Sequence, residues 1–153
     1  MRGSNRLAIF VALVLGAAPA VTTASEATGI LRLSLTVMAS CSVQTQPVTF
    51  ASYMTGGAAT GTAVPGSVDV ACTKGTPAAV YLDGNRVLTG PNGNQVAYSV
   101  QANGQAWPAG QPMNVVGQGT SNAIHLSISG SVAAGQQVTV GDYEAEQVVR
   151  VVY

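Results

Sequence analysis

Apolar and polar residues alternate in almost every segment of the chain after residue 28. Successive side chains of an extended strand point to opposite faces, so a period of two is typical of a strand with one buried face. No segment in this part of the sequence has the spacing of an amphipathic helix at useful length. The alternation predicts an all-β fold, an antiparallel β-sandwich, with strands within 29–41, 67–72, 78–85, 95–101, 122–129 and 141–153.

Short dipeptides predict tight turns between these strands: Asp83-Gly84, Asn92-Gly93 and Asn103-Gly104. Asn-Gly pairs adopt the positive φ angles that two-residue hairpins require. The segment 53–66 is rich in Gly, Ala and Thr and is predicted to be a long loop inside one domain.

The first 24 residues have the pattern of a secretory signal peptide. Arg2 and Arg6 form a basic head, an apolar stretch follows over 7–18, and small residues come after it. The stretch is too short to span a bilayer, and no stop-transfer pattern follows. We expect cleavage after Ala24 or, alternatively, after Ala20. One domain of about 130 residues then remains, which is enough for a hydrophobic core.

Removal of the signal changes the charge of the protein. The full chain has six basic and six acidic residues; without Arg2 and Arg6, four basic and six acidic residues remain, a net charge of −2. Phosphate binding needs clustered Lys and Arg, so this composition argues against a nucleic-acid partner. Charged residues make up only 8% of the chain, against about a quarter in soluble domains. We therefore expect part of the surface to be covered by partners.

Cys41 and Cys72 both lie in the exported part of the chain. Two cysteines in an oxidising compartment favour a disulfide, and only one pairing is possible. The alternative, a metal site with two thiolates, needs further ligands, and the chain has a single histidine, His125. We therefore expect a disulfide, and neither a metal nor a cofactor.

Side chains that could support catalysis are sparse. His125 alternates with Ile124 and Leu126, so we expect it on the outer face, as a surface residue rather than a general base. No G-x-S-x-G motif occurs, and a serine nucleophile would depend on that same histidine. The sequence indicates that the chain is not an enzyme.

Two further groups of residues allow a functional interpretation. Asp142, Glu144 and Glu146 alternate along the last predicted strand and could form a glycosidase or calcium site. Alternation instead places them together on a solvated outer face, and calcium favours a denser loop of oxygen ligands. Trp107 and the tyrosines could form a sugar-stacking platform, but Trp107 lies next to Pro108 and is expected to pack in the core or at its rim.

Several motifs follow one another along the chain: an alternating N-terminal strand, Cys41 just after it, VDVAC with Cys72, VYLDGN, VAYSVQ and the terminal GDYEAEQVVRVVY. Together they resemble the spore coat protein U domain family, which includes the pilins of archaic, Csu-type chaperone–usher pili. The resemblance covers residues 28–153. Its most specific parts are the placement of the cysteines and the terminal G-D-Y strand.

The resemblance implies an immunoglobulin-like sandwich that lacks its last strand, so that a strand from another protein completes it by donor-strand complementation. Residues 25–40 are then a donor segment for the groove of a neighbouring subunit, and residues 41–153 are the pilin domain. The side chains that fill the neighbour's groove are Leu31, Leu33, Leu35 and Val37. The groove wall and the chaperone-contacting edge contain Val149, Val151 and Tyr153.

The partners implied by the resemblance are copies of the chain or other pilin subunits, a periplasmic chaperone and an outer-membrane usher. The implied function is that of a structural subunit of a cell-surface fibre, exported through the periplasm, that serves adhesion and biofilm formation. Two other functions stay open: a secreted coat or matrix protein of the same family outside a pilus, and a carbohydrate-binding module. Residues 29–38 could also be the first strand of a complete, monomeric sandwich.

Overall fold

The computed structural model describes residues 25–153, and the predicted signal peptide, residues 1–24, lies outside the described residues. The described chain forms the strands β1 (Cys41–Gln46), β2 (Thr49–Phe50), β3 (Thr60–Val64), β4 (Gly66–Cys72), β5 (Pro77–Asp83), β6 (Val87–Thr89), β7 (Gln95–Ala102), β8 (Gln105–Ala106), β9 (Met113–Val116), β10 (Ile124–Val132) and β11 (Val148–Val152). A short 3₁₀ turn spans Pro91–Gly93. No helix within residues 25–153 is long and apolar enough to cross a membrane.

The strands form two antiparallel sheets. In the larger sheet they lie in the order β1-β4-β10-β3-β2, while β7 also pairs with β10 and carries β6 and β8. The smaller sheet has the order β11-β5-β9. Side chains from both sheets meet in one hydrophobic cluster. The fold is therefore an all-β, immunoglobulin-like antiparallel sandwich, which confirms the predicted fold class.

The core contains the side chains that the alternation assigns to inner faces. Val68 and Val70 of β4 and Leu126 and Ile128 of β10 are buried and belong to one cluster with the buried side chains of β5. Each such side chain stabilises the fold by about 1.5–3 kcal/mol when it leaves water. Burial of alternate residues also fixes the strand register, because a slip by one residue would turn every apolar side chain outward.

Trp107 lies in this core. Its side chain is 1% exposed, and its indole Nε1 donates a hydrogen bond of 2.9 Å to the carbonyl oxygen of Gln111. The backbone N–H of Trp107 also donates to the carbonyl of Val100 at 2.8 Å. A sugar could not stack on a ring buried to this extent. The prediction of core packing is confirmed, and the interpretation of Trp107 as a sugar platform is wrong.

The Asn-Gly turns have the predicted backbone. Asn103 and Gly104, between β7 and β8, have φ angles of 50° and 78°, and Asn92 and Gly93 have φ angles of 55° and 73°. These left-handed conformations are favourable for asparagine and glycine and costly for most other residues.

Two segments differ from the sequence prediction. The predicted loop 53–66 contains β3, which pairs with both β10 and β2; its small side chains give little alternation, so the backbone pairing was not visible in the sequence. Of the predicted strand 141–153, only β11 is extended and paired, apart from an isolated bridge between Thr89 and Glu144. The three carboxylates at 142, 144 and 146 are exposed but do not share one strand face.

Cys41 and Cys72 form the expected disulfide. Cys41 begins β1, Cys72 ends β4, and the two residues lie directly opposite each other in the antiparallel register. The bond therefore fixes the edge strand β1 to the buried strand β4 at one end of the sandwich. Both sulfurs are used in the bond, so a metal site with two thiolates is excluded.

We expect the Cys41→Ala/Cys72→Ala variant to lose about 3 kcal/mol of unfolding free energy. The reason is that the disulfide closes a loop between residues 31 positions apart in sequence, and a loop of this size restricts the unfolded chain by an amount of that order. Guanidinium unfolding of the mature chain measures the difference. Reductant should shift the midpoint of the wild type to that of the variant and leave the variant unchanged; equal midpoints without reductant would contradict the prediction.

His125 lies on the exposed outer face, as predicted, and has a partner that the sequence did not reveal. Its Nδ1 lies 2.7 Å from a carboxylate oxygen of Asp69, because β10 pairs with β4 and sets the two residues opposite each other. Ser67 donates a hydrogen bond of 2.9 Å to the other oxygen. The hydrogen bond from His125, and then that from Ser67, lower the pKa of Asp69 below its ordinary value of 3.8.

This lowered pKa predicts a pH-dependent contribution to stability. The folded state holds the Asp69 carboxylate ionised more tightly than the unfolded state, so the contribution is present above pH 3.8 and is lost as the pH falls through the lower, folded pKa. The stability difference between wild type and Asp69→Asn should therefore be fully present above pH 3.8 and vanish at strongly acidic pH. Urea unfolding at several pH values measures it. His125→Gln should cause most of the same loss of unfolding free energy. A stability difference between wild type and Asp69→Asn that does not change with pH would contradict the contribution of the Asp69 carboxylate.

Candidate functional site

The strand β11 has one open edge. It pairs with β5 on one side, and within residues 25–153 no strand pairs with its other side. The strand β1, at the end of the larger sheet, likewise pairs only with β4. An open edge presents a row of backbone N–H and C=O groups that can bind a further strand. The sandwich thus has an open edge at β11 in the smaller sheet and another at β1 in the larger sheet, besides those of other terminal strands such as β9.

The inner face of β11 belongs to the core. Val149 lies opposite Leu82, and Val151 lies opposite Val80; both valines are half-buried and pack against the hydrophobic cluster. Tyr153 follows the strand and is exposed. The two valines predicted as groove wall therefore occupy inward positions on the open-edged strand.

The outer face of β11 is fastened to β5 by Arg150. Its guanidinium donates hydrogen bonds of 2.6 and 3.2 Å to the two carboxylate oxygens of Asp83 and lies 4.3 Å from the centre of the Tyr81 ring. The hydrogen bond lowers the pKa of Asp83 and raises that of Arg150. A forked contact with two hydrogen bonds fixes orientation as well as distance. It holds β11 by one side and leaves the other side free.

A large cleft opens beside β11, with a volume of about 1270 Å³. Thr45 and Gln46 of β1 and Val149 of β11 line it, so it lies where the two open-edged strands approach. Natural protein interiors contain few voids larger than a water molecule. Six of the apolar side chains that line the cleft are buried: Val68, Leu82, Val96, Val100, Ile128 and Val132. Other apolar residues of the lining are Val48, Phe50, Leu88, Tyr98, Val138, Val140 and Val149.

Hydrogen-bonded loops wall one end of the cleft. The Gln136 side chain accepts a hydrogen bond of 2.7 Å from the backbone N–H of Ala97 and donates one of 2.9 Å to its carbonyl. The backbone N–H of Gln136 donates to the Tyr53 hydroxyl at 2.7 Å. The segments around Tyr53 and Gln136 are thereby attached to each other and to β7. The sequence did not point to these residues, because their pairing joins segments more than 35 positions apart.

A second polar cluster fixes the residue that precedes β11. The Arg86 guanidinium donates to the carbonyls of Leu82 and Trp107 at 3.2 and 3.4 Å and to the Gln147 side chain. Gln147 in turn donates to the carbonyl of Asn85 at 2.9 Å. These contacts set where β11 begins.

The N-terminal segment 25–40 is described here by itself. It contains no regular secondary structure, so the strand expected within 29–41 is not formed before Cys41. Backbone groups that lack a ladder partner favour water over an extended strand, and even an isolated hairpin is only marginally stable. Four alternating apolar side chains of the segment are exposed: Leu31 by 80%, Leu33 by 87%, Leu35 by 88% and Val37 by 71%. The hypothesis that residues 29–38 are the first strand of a complete sandwich is therefore wrong for this structure.

The acidic residues of 142–146 lie at the rim of the cleft. Asp142, Glu144 and Glu146 all contribute to its lining and are exposed. Within residues 25–153, no three His, Cys, Asp or Glu side chains come together in a group that could hold a metal ion. The site is thus a cleft with a largely apolar lining beside an open strand edge, and such an edge can bind an extended segment.

Comparison with known proteins identifies the family. No curated protein matches the chain significantly. The fold is similar to a chain in the crystal structure of the CsuC–CsuE chaperone–tip adhesion subunit pre-assembly complex from the archaic chaperone–usher Csu pili of Acinetobacter baumannii. The TM-score is 0.55 at 17% identity, and the match covers 77% of this chain and 41% of that chain. The model of the Spore Coat Protein U domain matches residues 27–149, and this protein therefore belongs to the Spore Coat Protein U domain family.

Proposed function

We propose that this protein is a structural subunit of a chaperone–usher surface pilus. Each subunit donates the segment 25–40 to the cleft of a neighbour, where Leu31, Leu33, Leu35 and Val37 fill the cleft and the backbone pairs with β11. The observation that carries the proposal is the apolar cleft beside the open edge of β11. Family membership supports it, as does a fold similar to a chain of a pilus assembly complex.

The energetics favour donation. Burial of four such side chains contributes about 1.5–3 kcal/mol each, so the segment could supply about 6–12 kcal/mol as an upper estimate. Whole domains are stable by only about 5–15 kcal/mol. A sandwich with an unfilled cleft therefore gains a large fraction of its stability from the incoming strand. Because each subunit gives a segment to one neighbour and receives one from another, the contact does not close and a fibre results.

The proposal includes partners and location. Before assembly, a periplasmic chaperone covers the cleft and the edge formed by Val149, Val151 and Tyr153, and an outer-membrane usher then passes the subunit to the cell surface. The solved relative is a chaperone–subunit complex, which supports the chaperone step. At the surface the fibre serves adhesion and biofilm formation.

The family name favours one alternative, a secreted coat or matrix protein that uses the same sandwich outside a pilus. Electron microscopy of cells that express the protein separates the two functions, because a pilus subunit labels thin surface filaments and a coat protein labels a continuous layer.

We expect the Leu33→Asp/Leu35→Asp variant of the mature chain to remain monomeric where the wild type forms head-to-tail multimers. The reason is that two carboxylates cannot enter an apolar cleft without a large desolvation cost. Sedimentation velocity of the refolded proteins measures the multimers. The matched control is Ser34→Lys/Thr36→Lys, which places two charges on the opposite face and should still assemble. Multimers of the first variant at the wild-type level would contradict the proposal.

We also expect a peptide spanning Glu26 to Met38 to stabilise the Leu33→Asp/Leu35→Asp chain, whose own segment cannot be donated. At a peptide concentration of about 100 times Kd the gain is about 2.7 kcal/mol, or a rise in Tm of about 10 °C for a domain of this size. Differential scanning calorimetry measures the rise. A peptide with both leucines changed to Asp should give no shift; an unchanged Tm with the native peptide would show that the cleft does not accept this segment.

A further inference from the structure

Charged side chains are distributed unevenly along β11. The carboxylates of Asp142, Glu144 and Glu146 lie at the cleft rim, just before the strand begins. Beyond the other end of the strand, Lys74 and Tyr153 line one shared surface pocket. In between, the charge of Arg150 is compensated by Asp83. Three carboxylates therefore lie before the start of β11, and the ammonium group of Lys74 lies near Tyr153, past its end.

The rim carboxylates have no cationic partner within the described chain, where the ion pairs are His125–Asp69 and Arg150–Asp83. Glu144 is held in place by its backbone, which exchanges two hydrogen bonds with Thr89 at 2.8 and 3.0 Å. The rim is thus negative, and the backbone of Glu144 is held beside the apolar cleft.

The N-terminal segment has only two charged residues between Ser25 and Ser40, Glu26 and Arg32. Arg32 alternates with Leu31 and Leu33, so in an extended segment it lies on the face opposite the leucines. Glu26 and Arg32 are six residues apart, about 20 Å in a strand. The five residues of β11 span about 17 Å. The stretch between the two charges of the segment is thus about as long as β11.

We propose that Arg32 of a second copy of this chain pairs with the acidic rim formed by Asp142, Glu144 and Glu146, and that this ion pair sets the register of the donated segment. The inference rests on the proposed function and adds a specificity-determining contact to it. The leucines alone give nearly equal affinity when the segment is shifted by two residues along the cleft. Each position in the cleft that held one leucine is then filled by the next leucine of the segment. One charge on the segment distinguishes those registers.

The charges also favour one direction of the segment. With Arg32 at the rim, Glu26 points toward Lys74 at the far end of β11. With the segment reversed, Glu26 would approach the rim and meet three like charges. Like charges placed together are destabilising and can exclude an incorrect partner or register.

The test is a charge-reversal cycle with fluorescent peptides spanning Glu26 to Met38. The acceptor is the full mature Leu33→Asp/Leu35→Asp chain, with a native rim or with Glu144→Lys/Glu146→Lys. Fluorescence anisotropy gives the Kd of the native peptide and of the Arg32→Glu peptide for each acceptor. On the native rim, Arg32→Glu should weaken binding about fivefold, from the size of exposed ion pairs. For the acceptor with Glu144→Lys/Glu146→Lys, the Arg32→Glu peptide should instead bind more tightly than the native peptide.

Controls keep the inference separate from the proposed function. Gln101→Lys adds a positive charge on an exposed position of β7 and should leave both affinities unchanged. The difference in Kd between the native and the Arg32→Glu peptide should become smaller in 1 M salt, where the Debye length falls to about 3 Å. Equal affinities of the two peptides for both rims would overturn the ion pair while leaving donation intact. Failure of the native peptide to bind any acceptor would overturn donation itself, and the ion pair with it.

Discussion

The unpaired backbone edge of β11 and the apolar cleft beside it are the constraint on which the rest of the structure depends. A strand edge can be protected by charge, by a bulge or by a covering segment, and a cleft of about 1270 Å³ cannot be closed by small shifts of the side chains around it. The molecule keeps both features. Four exposed, alternating apolar side chains lie in the segment before β1, and the proposed function assigns this segment to the cleft of a neighbouring subunit.

The remainder of the sandwich holds this edge in place. The disulfide joins β1 to β4 at one end, Arg150 attaches the outer face of β11 to β5, and Arg86 with Gln147 determines where β11 begins. Each contact acts on the side of the strand that is already paired. The open edge is therefore preformed, and an incoming strand does not have to order it. Such preorganisation lowers the conformational cost of binding.

The low charge of the surface has a related consequence. With 8% charged residues, few ion pairs compete with one another, so in the proposed assembly the single arginine of the N-terminal segment and the rim carboxylates are among the few charges present. In the proposed strand addition, apolar burial provides most of the free energy, and the sparse charges distinguish arrangements that burial alone leaves similar. This division of roles is common where affinity and specificity must be set separately.

The sequence by itself determined the local features of the protein. Alternation indicated the strands whose inner residues are buried, Asn103-Gly104 indicated a hairpin, and the two cysteines allowed only one disulfide. These features depend on neighbouring residues, so a local pattern reports them. Tertiary structure decided the pairing of β3 with β10, the start of β11 at Val148, the contact between His125 and Asp69, and the loop walls around Gln136. These depend on which distant backbone groups meet, and a strand's pattern specifies its buried face without specifying its neighbour.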